Sequence, residues 1–138
     1  MKQIILAVAL SLAAVLPGVS PAEDANETAI QGVISSQFSA FLEKDVDAAW
    51  SYASPLIQNM FRTPENFGRM VENGYPMVYA PSETRFLELR DVDGALWQKV
   101  RVRDMSGQYH LLDYKMVETD GGWLIDAVQF IKSVGLGV

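Results

Sequence analysis

The chain has 138 residues, a formal charge of −6 at neutral pH, 49% apolar residues, one histidine and no cysteine. That length suits one domain and is short for two. The acidic balance, with no basic stripe to offset it, disfavours nucleic acid as a partner, and the missing cysteines exclude disulfides, thiolate metal sites and a lipid on an N-terminal cysteine.

Met1-Lys2-Gln3 carries one positive charge and precedes an apolar run from Ile4 to Leu16, interrupted only by Ser11. Followed by Pro17-Gly18-Val19-Ser20-Pro21-Ala22, it has the pattern of a secretory leader with cleavage expected after Ala22. At about 1.5 Å per residue the run spans roughly 20 Å, short of a hydrocarbon core of roughly 30 Å, so no stable membrane anchor is expected after cleavage. The expectation is a signal peptide over residues 1–22 and a single α+β domain over residues 23–138, free in the periplasm or secreted. Its charge would be −7, since Lys2 is the only charged residue removed.

Ile30, Val33, Ile34, Phe38, Phe41 and Leu42 recur at three- and four-residue intervals and predict an amphipathic helix from about Ala25 to Lys44, with Asp24 as its cap and Glu27 three residues on. Asp45 can start a second, short helix carrying Val46, Ala49, Trp50 and Ala53. Ser54-Pro55 and Thr63-Pro64-Glu65 start two more, each pairing an accepting hydroxyl with a proline suited to the first helical position. Gly74 should end the last of them. The segment Tyr75-Pro76-Met77-Val78-Tyr79-Ala80-Pro81 is predicted to be a connector with a short edge strand at Met77–Tyr79, where flanking prolines bar a central position.

From Thr84 to Lys132 the pattern changes to alternation, punctuated by Asp93-Gly94, Ser106-Gly107 and Asp120-Gly121-Gly122. These are hairpin signals, because glycine and aspartate tolerate the positive φ of tight loops, and they predict a four-stranded antiparallel meander. The second strand sets Gln98, Val100, Val102 and Asp104 against Trp97, Lys99, Arg101 and Arg103, one face inward and one charged. The third sets His110, Leu112, Tyr114 and Met116 against Tyr109, Leu111, Asp113, Lys115 and Val117. The fourth, Trp123 to Ile131, is apolar on both faces and so is expected in the middle of a sheet or beneath a second layer. Residues 135–138 are expected to fray.

The fold class expected is α+β: a long N-terminal helix and short helices packed on a curved meander. The order resembles the nuclear transport factor 2-like superfamily, whose cones are often open at one end. A closer resemblance rests on Trp50-Ser51-Tyr52-Ala53-Ser54-Pro55, Phe61, Thr63-Pro64-Glu65-Asn66-Phe67, Met70-Val71 and Gly74-Tyr75-Pro76-Met77-Val78, with Gln98, Val100, Gly107, Tyr114-Lys115-Met116 and Trp123-Leu124-Ile125. Over nearly all of residues 27–138 the chain is similar to a family of exported bacterial proteins known as a domain of unknown function. The resemblance implies a fold and brings no catalytic residues.

Most catalytic chemistries lack their parts. One histidine and no cysteine leave no convergent zinc ligands. No Gly-x-Ser-x-Gly elbow occurs, and the glycines sit in hairpins rather than between a strand and a helix, where phosphate loops belong. No cofactor is expected. The low-count candidates for acid–base work are His110 and Tyr114 on one strand face, with Asp104 and Gln98 on the neighbouring strand and Asp126 on the last. The plainer alternative makes His110 a ring packed at the mouth of the sheet and Tyr114 a core ring. Tyr75 and Tyr79, together with Gln98, His110 and Tyr114, are the residues expected to line a ligand pocket at the wide end. Trp97, Lys99, Arg101 and Arg103 form a basic strip on the outer sheet face that could serve a second copy of the chain; the alternative is a solvated face. The expected role is binding of a small apolar or amphipathic ligand, or of a protein, without catalysis; the alternative is an isomerase- or dehydratase-like enzyme using a buried His, Asp and Tyr.

Overall fold

The structure, a computed structural model, describes residues 21–132; the leader expected over residues 1–22 lies outside them but for Pro21 and Ala22, and the tail expected over residues 135–138 lies outside them altogether. The first helix, α1, runs Pro21–Leu42. Asp24 lies within this helix and is not its cap. The helix ends at Leu42 because Lys44 takes φ 56° and the Asp45 amide donates to the Ala40 carbonyl at 2.8 Å, closing the last turn. Ile30, Ile34, Phe38 and Phe41 are buried as their spacing requires. Leu42 is instead 52% exposed, while Gln37 takes a buried place on the stripe. No described helix is long and apolar enough to cross a membrane.

Three capped helices follow: α2 (Val46–Ser51), α3 (Pro55–Phe61) and α4 (Pro64–Gly74). Asp45, Ser54 and Thr63 each accept from the amide three residues on, at 3.0, 3.3 and 3.2 Å. Helices α2 and α4 meet at Gly68, where an added Cβ would lie 2.8 Å from Val46 Cγ1. The predicted strand at Met77–Tyr79 is a helical turn, α5 (Pro76–Tyr79). Pro76 occupies its first turn, where a missing amide costs nothing, and Met77 and Val78 face the core.

The strands β1 (Glu83–Val92), β2 (Ala95–Arg103), β3 (Tyr109–Thr119) and β4 (Gly122–Phe130) form one open antiparallel sheet in the order β1-β2-β3-β4. The first hairpin is a two-residue loop whose Asp93 and Gly94 both have positive φ, 53° and 86°. Two bulges interrupt the ladder, one in β1 between Phe86 and Leu89 and one in β4 at Asp126. Bulges bend and twist the strands that carry them. The second also upsets the expected alternation: Ile125 pairs with Met116 and Val128 with Tyr114, so both fall on the inner face instead of on opposite ones. Moreover, β4 lies at the sheet edge, not in its middle. Only Ile125 of its residues is fully buried. Its free edge is partly covered, since the Ser54 amide donates to the Ile125 carbonyl at 2.8 Å and the Ile125 amide to the Tyr52 carbonyl at 2.9 Å.

Helix α1 lies on the inner sheet face. Phe38 meets the Tyr114 ring edge-on at 6.1 Å, and Val100, Val102, Leu112 and Tyr114 share one core with Ile30, Ile34 and Phe41. Two polar side chains stand side by side in this core, as Gln98 and Tyr114 are cross-strand partners. The Gln98 amide donates to the Leu87 and Lys99 carbonyls, each at 2.9 Å, and so occupies the gap that the β1 bulge opens. The Tyr114 hydroxyl has no partner among the described residues. A buried polar group left unpaired costs about 1–3 kcal/mol. Tyr114→Phe should therefore raise stability by about 1 kcal/mol, whereas Gln98→Leu, which strands two carbonyls, should lower it by about 2 kcal/mol, both measured by urea unfolding.

Candidate functional site

The pairing of Ala53 with Ile125 anchors the helical layer at one point on β4. Immediately after it Ser54 caps α3, which turns the chain away from the strand, and Arg62 with φ 72° turns it again into α4. The helices therefore stand off β4 and enclose a cavity of about 230 Å³. Helix α3 supplies Ile57, Met60 and Phe61 to its wall, and α4 supplies Phe67, Met70 and Val71. None of the seven α3 residues is fully buried, and Leu56 and Met60 are 57% and 64% exposed, so α3 covers the cavity and meets the core through the half-buried Ile57 and Phe61.

The opposite wall is β4 from Ile125 to Val128. Tyr75 and Val78 close one side. The Tyr75 hydroxyl donates to the Val128 carbonyl at 3.1 Å, and its ring stacks on Phe130 at 4.9 Å with an interplanar angle of 3°. Gln37 reaches the cavity from α1, its Nε2 donating to the Ala49 carbonyl at 3.1 Å. Asp126 is the residue that the bulge leaves without a partner on β3. It is half-buried, and its carboxylate makes no hydrogen bond or ion pair among the described residues. No lysine, arginine or histidine lines this space.

The candidates from sequence are spread over several places. Of the five expected pocket residues only Tyr75 lines the cavity. Tyr79 packs on Phe41 at 5.9 Å, with Lys44 Nζ 5.2 Å from its ring. Gln98 and Tyr114 lie in the core behind α1, and burial pushes the Tyr114 phenol far above its ordinary range. His110 and Asp104 do come together, with Nε2 and Oδ2 2.7 Å apart, but in the β2–β3 turn. There Asp104 Oδ1 also accepts from the Ser106 amide and hydroxyl at 2.9 and 2.6 Å and from the Gln108 amide at 3.0 Å. The carboxylate thus organises the loop. On the outer face the basic strip is internally compensated: Lys99 pairs with Glu88 at 2.9 Å, Arg101 with Glu83 at 3.7 Å, and Arg101 and Arg103 sit over the Tyr109 ring at 4.6 and 5.6 Å. Among the described residues no three His, Cys, Asp or Glu side chains converge as a metal site.

The cavity itself had little trace in the sequence. Ile57, Met60, Met70 and Val71 carry only the spacing of helix faces, which does not distinguish a core from a wall. Gln37 gave a weak signal, a polar residue three positions after Ile34 on an otherwise apolar stripe. Asp126 gave a stronger one, a carboxylate amid Leu124, Ile125, Ala127 and Val128.

Hydrogen bonds from His110 first, and then from Ser106, hold the Asp104 carboxyl well below the usual carboxylate range, while desolvation opposes them. A depressed folded-state value stabilises the fold above the ordinary carboxylate range and ceases to do so as the pH falls through that depressed value. Urea midpoints should therefore put Asp104→Asn below the parent chain at pH 6, with the difference shrinking steadily below about pH 4.

A family profile described as "Domain of unknown function (DUF4864)" matches residues 23–138. No curated protein and no solved structure matches the chain. Because the match takes in the cavity, the turn at Ser54 and all four strands, and covers most of the sequence, the chain belongs to the DUF4864 family.

Proposed function

We propose that this chain is an exported binding domain that takes a small apolar or amphipathic molecule into the cavity between α3, α4 and β4 without transforming it. One observation carries the reading: the wall is built almost wholly of aliphatic, aromatic and methionine side chains, beneath a helix with no fully buried residue. At about 230 Å³ the space exceeds the roughly 150 Å³ that admits benzene in an engineered core and falls short of the roughly 300 Å³ at which drug-sized sites begin. A short hydrocarbon chain or a single ring is the occupant of that size. Entry beneath α3 fits its exposed Leu56 and Met60, whose side chains would cover an inserted chain. Export is proposed from the leader-like start, and the likeness of the element order to nuclear transport factor 2-like cones accords with a pocket beside the sheet.

An isomerase- or dehydratase-like reaction would need an acid, a base and a tyrosine in one water-poor space. Here His110 and Asp104 engage each other in a hairpin and the Tyr75 proton is committed to Val128, so binding is the better supported role. A protein partner on the outer sheet face is supported less, because the cations there already have partners.

The test is a titration of the folded chain with 1-hexanol followed by heteronuclear NMR. Shifts concentrated on α3, α4 and residues 125–128 are expected, and Ile57→Trp, which fills the cavity from its least constrained wall, should weaken binding at least about tenfold while leaving the circular dichroism unchanged. Shifts scattered over the surface, or undiminished binding by Ile57→Trp, would refute the site.

A further inference from the structure

We propose that the cavity prefers a small cationic amphiphile, an alkylammonium, over neutral and anionic molecules of equal length; the inference rests on the cavity being a ligand site, as argued above. The preference follows from what its polar side chains still have to offer. Asp126 is the sole ionisable carboxylate in the lining, it has no partner among the described residues, and no basic residue shares the wall with it. The Tyr75 hydroxyl has given its only proton to the Val128 carbonyl, which leaves it an acceptor. Gln37 has given one amide proton to Ala49. What remains for an occupant is a carboxylate, a phenolic lone pair and an amide oxygen, against a single side-chain amide proton. A head group that donates and carries positive charge satisfies this set. A carboxylate or phosphate head would bring a second negative charge beside Asp126 on an acidic molecule, with no cation to compensate it.

The position of Asp126 strengthens the argument. It is the extra residue of the β4 bulge, so no cross-strand partner fixes it, and it stands half-buried on the edge strand, at the margin of the sheet. An amphiphile could bury its chain against Met70, Val71 and Phe67 and leave its head at this margin. A charge pair beside an apolar wall is screened less than one in bulk water, enough for a preference of about tenfold.

The measurement is calorimetric or NMR titration of the full chain with hexylammonium, 1-hexanol and hexanoate at pH 7 and low salt. Hexylammonium should bind about tenfold more tightly than hexanol, and hexanoate more weakly than either. Asp126→Asn should bring the three together while retaining hexanol, Asp126→Glu should restore the order, and added salt should narrow it. Equal binding of all three by the parent chain, tighter binding of hexanoate, or an unchanged order in Asp126→Asn would overturn the charge preference and leave the cavity site standing. Failure of all three compounds to bind at the cavity would remove both.

Discussion

Two backbone hydrogen bonds between the Tyr52–Ser54 segment and Ile125 set the relation of the helical layer to the sheet. They join the end of α2 to the free edge of the last strand, and everything from α3 to α5 is placed by what happens after that junction. An edge strand exposes unpaired amides and carbonyls that must find partners or water. Here a short stretch of extended chain answers that need at Ile125, and the Tyr75 hydroxyl answers it at Val128. Between the two contacts the helices have no backbone reason to approach the strand. The gap is the cavity.

The hairpins and capped helices were legible because their signals are local. Asp93-Gly94 specifies positive φ at two successive residues, and the serine and threonine caps each need only the next turn of chain. What sequence could not supply was the competition between segments. Met77–Tyr79 satisfies strand and helical-turn patterns alike, and only the demand that Met77 and Val78 both face the core selects the turn. The doubly apolar β4 suggested a strand in the middle of the sheet or beneath a second layer; it is an edge strand that the helices cover in part, and the bulge at Asp126 brings Val128 onto the same face as Ile125. As for the site, Asp126 and Tyr75 were visible as oddities, a carboxylate in an apolar strand and a ring near an element boundary. Their meeting across one cavity was not, since they stand 51 positions apart and the bulge that brings Asp126 there has no composition of its own.

Gln98 and Tyr114 illustrate how polar residues in a core divide between structure and surplus. Both lie opposite each other behind α1 and neither is exposed to solvent. The glutamine is consumed by the geometry of the β1 bulge, where its amide replaces ladder bonds that the irregular register cannot make. The tyrosine contributes its ring, packed edge-on against Phe38, and its hydroxyl is unpaired among the described residues. The Asp104–His110 pair is a third case, in which a combination familiar from catalysis closes a loop.

The contact at Gly68 reaches beyond local packing. Because Val46 is branched at Cβ and cannot swing aside cheaply, the spacing of two helices is fixed there by the smallest possible side chain. One of those helices carries Phe67, Met70 and Val71, so the bore of the chamber is gauged from its far side. A single methyl group added at that remote spot would act as a wedge, changing the width of the chamber without entering it.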